Sequence, residues 1–104
     1  MLIQLSENGQ AKQREICDIL GAEELLGQLT EECGELIQAA QKTRRVICGT
    51  TPVNKMDALG HLAEEAADVA LCIDTLIRSG LINADKVQSI GQYKNERWHE
   101  RTTG

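Results

Sequence analysis

Two stretches of this chain carry carboxylates at helical spacing. In TEECGELIQAAQK, from Thr30 to Lys42, Glu31, Glu32 and Glu35 fall within five positions before the segment turns apolar. In HLAEEAADVALCIDTLI, from His61 to Ile77, Glu65 and Asp68 repeat the three-residue spacing. A helix turns about 100° per residue, so residues three apart project about 60° from each other on successive turns of one face. Each pair can hold one ion. A lone ExxE or ExxD is ordinarily a solvated face. Two of them on helices expected to be neighbours make a different case, because carboxylates facing each other across a seam repel. The run from Ala66 to Ile77 is apolar nearly all round, which is the pattern of a helix surrounded by protein. Asp68, with Leu71 and Cys72 on the next turn of its side, is therefore expected away from bulk water. A buried carboxylate is costly unless protonated, paired or bound to metal, and no Lys or Arg follows Asp68 before Arg78. A divalent cation is the simplest neutraliser. Oxygen donors without thiol or imidazole select Mg²⁺ or Mn²⁺ over zinc.

The elements that must position these acids are helices. A first is expected from about Gln10 to Leu20, stopped by Gly21, and a second from about Ala22 to Arg44. The second carries Leu25, Leu29, Leu36 and Ala40 on one stripe, with Leu26, Cys33 and Ile37 beside it. On that wheel Glu32 falls at the stripe's edge, partly shielded, and Glu35 lies further round. The segment VICGTTPVNK breaks the pattern and makes the one clear loop. A third helix is expected from Met56 or Asp57 to Ser79, closed by Gly80, and a fourth from about Ala84 to Thr102, capped by Asn83. Short connections predict close neighbours, with helices two and three antiparallel across the longer loop.

A chain of 104 residues fits one domain spanning residues 1–104, burying roughly two-thirds of its unfolded surface. With no Phe, one Trp and one Tyr, its core must come from Leu, Ile, Val and Ala, which favours an all-α, four-helix bundle-like protomer. A helix three apolar nearly all round leaves more apolar surface than one bundle interior can hide, so a homodimer or homotetramer is expected. The net charge of −5 argues against nucleic acid polymers and anionic membranes. Cys17, Cys33, Cys48 and Cys72 stand far apart without a CxxC pair and read as reduced, mostly buried thiols. The opening MLIQLSENG carries no basic leader with a long apolar run, so the expected location is cytoplasmic.

The acidic motifs carry a resemblance. Glu31-Glu32-Cys33-Gly34-Glu35-Leu36, followed after a loop by Glu64-Glu65-Ala66-Ala67-Asp68-Val69, resembles the EExxE and ExxD motifs of the MazG-like all-α nucleoside triphosphate pyrophosphohydrolases. The likeness covers helices two to four. It implies an oligomeric helical bundle that uses Mg²⁺ to cleave a nucleoside triphosphate into monophosphate and pyrophosphate. Carried over by motif, Glu32, Glu35, Glu65 and Asp68 are the metal ligands, and Glu31 is an accessory carboxylate that reaches a second ion or orients the attacking water. The segment YKNERWHER resembles the family's C-terminal helix, which implies that Lys94, Asn95 and Arg97 bind the triphosphate as helix four closes over it. Phosphoribosyl-ATP pyrophosphohydrolase, a relative with the same chemistry, is the nearest alternative. A non-catalytic helical dimer with an acidic docking face is an alternative of another class.

Other residues read more plainly. Lys94, Arg97 and Arg101 make one face of helix four basic, with solvated charge as the simpler account. Trp98 covers a base or, more simply, packs against a helix. Lys42, Arg44, Arg45 and Lys55 bracket the loop, within possible reach of phosphates. His61 and His99 lack the paired Glu-x-x-His order of a di-iron bundle. Asp74 is a bystander or an outer support of the acids, and Gly34 permits a close approach.

Overall fold

The computed structural model describes residues 1–104 as four helices without strands: α1 (Glu7–Ile19), α2 (Ala22–Ile47), α3 (Lys55–Arg78) and α4 (Ala84–Thr103). No helix is long and apolar enough to cross a membrane.

Local chemistry explains most boundaries. The Asn54 side chain accepts hydrogen bonds from the Met56 and Asp57 amides, and that of Asn83 accepts one from Lys86, so both helices begin where an amide-bearing cap stands. Gly49 and Gly80 adopt φ of 77° and 88° just past α2 and α3. Their left-handed turns let Thr50 N donate to Arg45 O and Leu81 N to Leu76 O, the closing bonds of a glycine C-terminal motif. Three boundaries differ from expectation. α1 begins at Glu7, because Ser6 Oγ accepts from Gly9 N at 3.0 Å and caps it earlier. α2 continues through Val46 and Ile47 up to Gly49. Gly21 is the N-cap of α2 with φ of −77°, not a left-handed stop for α1.

α2 and α3 form the main packed pair. Thr43 Oγ1 donates to Ala39 O at 2.8 Å and also contacts Ala58 O at 3.4 Å, which ties the C-terminal half of α2 to the start of α3. The helices are antiparallel. Along α2 the sheltered positions are Leu25, Leu29, Glu32, Leu36, Ala39 and Thr43, and along α3 they are Ala58, Leu62, Glu65, Val69, Cys72 and Leu76. Both lines alternate steps of four and three, the spacing of knobs-into-holes packing. The expected stripe on α2 is thus shifted at its end: Ala39 is buried and Ala40 exposed.

α1 rests on α3 through polar groups. Gln13, 3 % exposed, donates from Nε2 to Thr75 Oγ1 at 3.0 Å and accepts from Arg78 Nε at 2.6 Å. Beside it Asp74 is completely buried and accepts from Leu2 N at 2.9 Å and Ile3 N at 2.7 Å. Asp74 therefore anchors the N-terminal arm and supports nothing at the acidic cluster. An asparagine there can accept only one of these bonds. Asp74→Asn should cost about 2 kcal/mol and lower Tm by roughly 10 °C in a thermal melt, while the affinity for divalent ions stays unchanged.

α4 departs most from expectation. None of its residues is buried, and it packs as an element against neither α1 nor α2. Val87, Ile90, Tyr93 and Trp98 are 49 %, 50 %, 62 % and 67 % exposed. It does not close over the acids of its own protomer. Nor is α3 wholly surrounded: Leu71 and Asp68 lie at the surface, because only one flank of the helix meets α2 and a short stretch meets α1. The cysteines are unpaired as expected but not mostly buried: Cys17, Cys33 and Cys72 are half-buried, and Cys48 is exposed at the end of α2.

Candidate metal centre

The step-of-three-and-four register places one carboxylate of each helix inside the α2–α3 seam. Glu32 follows Leu29 by three and precedes Leu36 by four. Glu65 follows Leu62 by three and precedes Val69 by four. One turn further along each helix, Glu35 and Asp68 stand at the exposed rim. Because the helices run antiparallel, the rim acid of one lies beside the inner acid of the other. Glu32, Glu35, Glu65 and Asp68 each offer an oxygen within 4.8 Å of those of the other three. The four residues named from the motifs are brought together.

Each inner carboxylate keeps one oxygen without a partner. Glu32 Oε2 and Glu65 Oε2 are buried oxygens with no hydrogen bond, and the Glu65 side chain is only 12 % exposed. Buried polar atoms are nearly always satisfied. Gln28 Nε2 donates to Glu32 Oε1 at 2.8 Å, which occupies one oxygen and leaves the other turned inward. His61 Nδ1 lies 3.8 Å from both Glu65 Oε1 and Glu64 Oε2, too far for a hydrogen bond. Neither residue stood out in the sequence as part of a site, yet each lies four positions from an inner glutamate, the spacing that sets side chains one above the other.

Electrostatics follow from this crowding. Burial raises the Glu32 carboxyl above its ordinary range, and the charges of Asp68 and Glu35 push it further, against the lowering bond from Gln28. Glu35 is raised first by the charge of Glu65, then by hydrogen bonding to it. Glu31 is exposed and outside the cluster, but its charge adds to both shifts. Burial, then the charges of Glu32 and Asp68, hold the nearby Cys72 thiol up in its protonated form. The donors are thus oxygen only, which suits a hard divalent cation. The donor set and the two orphaned oxygens both fit such an ion.

A pH dependence follows. Unfolded glutamates titrate near 4.5, whereas Glu32 and Glu35 in the fold hold their protons to higher pH. Across that window the folded state binds more protons than the unfolded one, so these groups make stability fall as pH rises. Without metal, Tm should be higher at pH 5 than at pH 8. With saturating Mg²⁺ the ordering should reverse, because the ion must displace those protons. Melts at the two pH values, with EDTA and with Mg²⁺, measure both slopes.

One hollow includes two of the acids: about 200 Å³, it lies between α1, α2 and α3 and is lined by Ile16, Leu20, Leu25, Gln28, Glu32, Asp68, Leu71, Cys72 and Thr75. Another, of about 490 Å³, is bordered by Gln38, Gln41, Lys42, Arg45 and His61 and contains none of the four. Lys94, Asn95 and Arg97 are not brought to the cluster. They border a hollow on α4's own surface, where the Arg97 guanidinium stands 5.9 Å from the Tyr93 ring centroid. Comparison with known proteins returned no match: no family model, no curated protein and no solved structure.

Proposed function

We propose that this chain is a Mg²⁺-dependent nucleoside triphosphate pyrophosphohydrolase of the MazG-like type, with Mn²⁺ as an alternative ion. The observation that carries the reading is the pair of buried, unpartnered oxygens on Glu32 and Glu65 inside a four-carboxylate cluster. Those acids are the ones the EExxE and ExxD motifs designate. Glu32, Glu35, Glu65 and Asp68 would hold the ion. When bound, a divalent ion neutralises phosphate charge and makes the phosphorus more electrophilic. Gln28 fixes the Glu32 carboxylate so that Oε2 faces inward. Glu31, the accessory carboxylate that the resemblance implies, would orient the attacking water and take its proton. The water oxygen bonds to the α-phosphorus, the bridge to the β-phosphate breaks, and pyrophosphate leaves with the bonding electrons.

The working form in this reading is a homo-oligomer. A compact chain of this mass exposes about 5,800 Å², against 7810 Å² for this protomer. Its radius of gyration is 16.6 Å, where about 13 Å is usual for the length. An excess of about 2,000 Å² per copy matches what obligate homodimers bury. α4 is the element with the least cover and carries apolar side chains as well as Lys94, Asn95 and Arg97. In an oligomer those residues serve the triphosphate of a neighbouring copy.

The test is a nucleotide panel with Mg²⁺, scored for product. The expected result is equimolar monophosphate and pyrophosphate, with Asp68→Asn slower by on the order of a hundredfold. Orthophosphate release, turnover of phosphoribosyl-ATP alone, or no turnover of any nucleotide would each count against the reading. The last result would favour a non-catalytic acidic docking face.

A further inference from the structure

We propose that His61 is the positioning residue of Glu65, donating from Nδ1 to Oε1 so that Oε2 stays turned toward the ion, as Gln28 does for Glu32. This rests on the reading of the four acids as a metal centre and gives that centre the second of two matched supports.

A single offset of 33 residues carries Gln28 to His61, Glu32 to Glu65 and Glu35 to Asp68. In an antiparallel pair such an offset marks a local two-fold axis crossing the seam, and burial repeats with it. Leu25 and Ala58 are both buried, and Leu29 and Leu62 are both half-buried. The inner acids repeat their orientation as well. Each has Oε2 buried without a partner. Each has Oε1 beside the side chain four positions earlier, with Gln28 Nε2 at 2.8 Å from Glu32 and His61 Nδ1 at 3.8 Å from Glu65. Helical side chains lean toward the N-terminus, so the residue four positions earlier stands where a glutamate's carboxylate ends.

His61 stands equally far from Glu64 Oε2, and exposure decides between the two acceptors. The Glu64 side chain is 78 % exposed, so a contact there is shared with water and is worth little. The Glu65 side chain is 12 % exposed, so a donor at its Oε1 meets less competition from solvent. A shift of less than about 1 Å brings Nδ1 into hydrogen-bond range, which a small rotation of the half-exposed imidazole supplies. A carboxylate already held in one orientation has less rotamer freedom to lose when it takes up an ion. Outer supports of this kind are worth roughly ten- to a hundredfold in metal affinity. A proton on Nδ1 also fixes the tautomer of the neutral ring, leaving Nε2 as its bare acceptor.

The experiment reads metal binding and needs no turnover. Calorimetric titrations with Mg²⁺ at pH 8 compare the native protein with His61→Leu, His61→Gln and Gln28→Leu. His61→Leu should weaken binding by at least about tenfold, as Gln28→Leu does, while His61→Gln, which supplies the donor used on α2, should return it to within about threefold of native. In EDTA, His61→Leu should melt within about 2 °C of native, since at 3.8 Å Nδ1 makes no bond for the fold to lose. Nitrogen NMR of the native protein with saturating Mg²⁺ should find the His61 proton on Nδ1. Native-like Mg²⁺ affinity in His61→Leu, no rescue by His61→Gln, or a ring protonated on Nε2 with Nδ1 bare would each overturn the proposal while a native chain that binds Mg²⁺ keeps the metal centre standing. A native chain that takes up no Mg²⁺ would overturn both.

Discussion

Replacing Glu65 by glutamine should raise the melting temperature of the metal-free protein and remove most of its response to Mg²⁺. Glu65 Oε2 is buried without a partner, and its charge is the largest influence holding the Glu35 carboxyl up. An amide of the same shape ends that repulsion and can donate to Glu35, so the metal-free melting temperature should rise, by roughly 5 °C. The same change deletes an ion ligand. Mg²⁺ at one hundred times its wild-type Kd should stabilise the native chain by about 2.7 kcal/mol, and after a hundredfold loss of affinity by only about 0.4 kcal/mol. A glutamate whose purpose is structural would show the opposite, a loss of stability that metal does not alter. Thermal melts of both proteins with EDTA and with Mg²⁺ separate the cases, and hydrolysis by the variant should fall by on the order of a hundredfold or more.

Mixing two inactive variants should restore activity. α4 does not reach the acids of its own protomer, so in the proposed oligomer Arg97 would serve the site of another copy, and Glu65→Gln and Arg97→Glu would damage different halves of a shared site. In a randomly exchanged one-to-one mixture of dimers, half the assemblies are mixed and each has one intact site of two. The mixture should recover about a quarter of wild-type activity although each parent is nearly silent. Were Arg97 to act within its own chain, each site of a mixed assembly would carry one lesion, no site would be intact, and the mixture would stay as silent as its parents. A tandem fusion carrying both changes in one half resolves this: it should have no intact site if the α4 residues work across copies, and one if they work within a chain.

How far the sequence could lead is clearest residue by residue. Asn83 before an apolar-periodic run and Gly80 after one were legible as caps, because their effect is local and depends on residue type alone. Ser6 acts by the same physics, but the weakly apolar turn after it hid the helix start. The acids were found from their spacing, yet the reason Glu32 and Glu65 turn inward lies in a register of threes and fours that continues past them through Leu36 and Val69. A wheel at 3.6 residues per turn blurs that register and places Glu32 at an edge. Asp74 illustrates what a local reading cannot supply. Its partners, the amides of Leu2 and Ile3, lie more than seventy residues away, and no pattern around Asp74 announces them. The position of α4 is not legible in the sequence for a related reason. Amphipathic spacing tells which face seeks cover, but not whether the same chain or another copy provides it.

The central claim is that the four carboxylates are a divalent-ion site, and calorimetric titration of the metal-free protein with Mg²⁺ tests it most directly. Run at pH 5 and at pH 8, the titration should show saturable binding that is weaker at the lower pH, since Glu32 and Glu35 hold protons above the ordinary carboxylate range and the ion must displace them. Glu32→Gln should weaken that binding by at least about a hundredfold. An absence of saturable heat in the native protein, or equal binding by native and variant chains, would contradict the account.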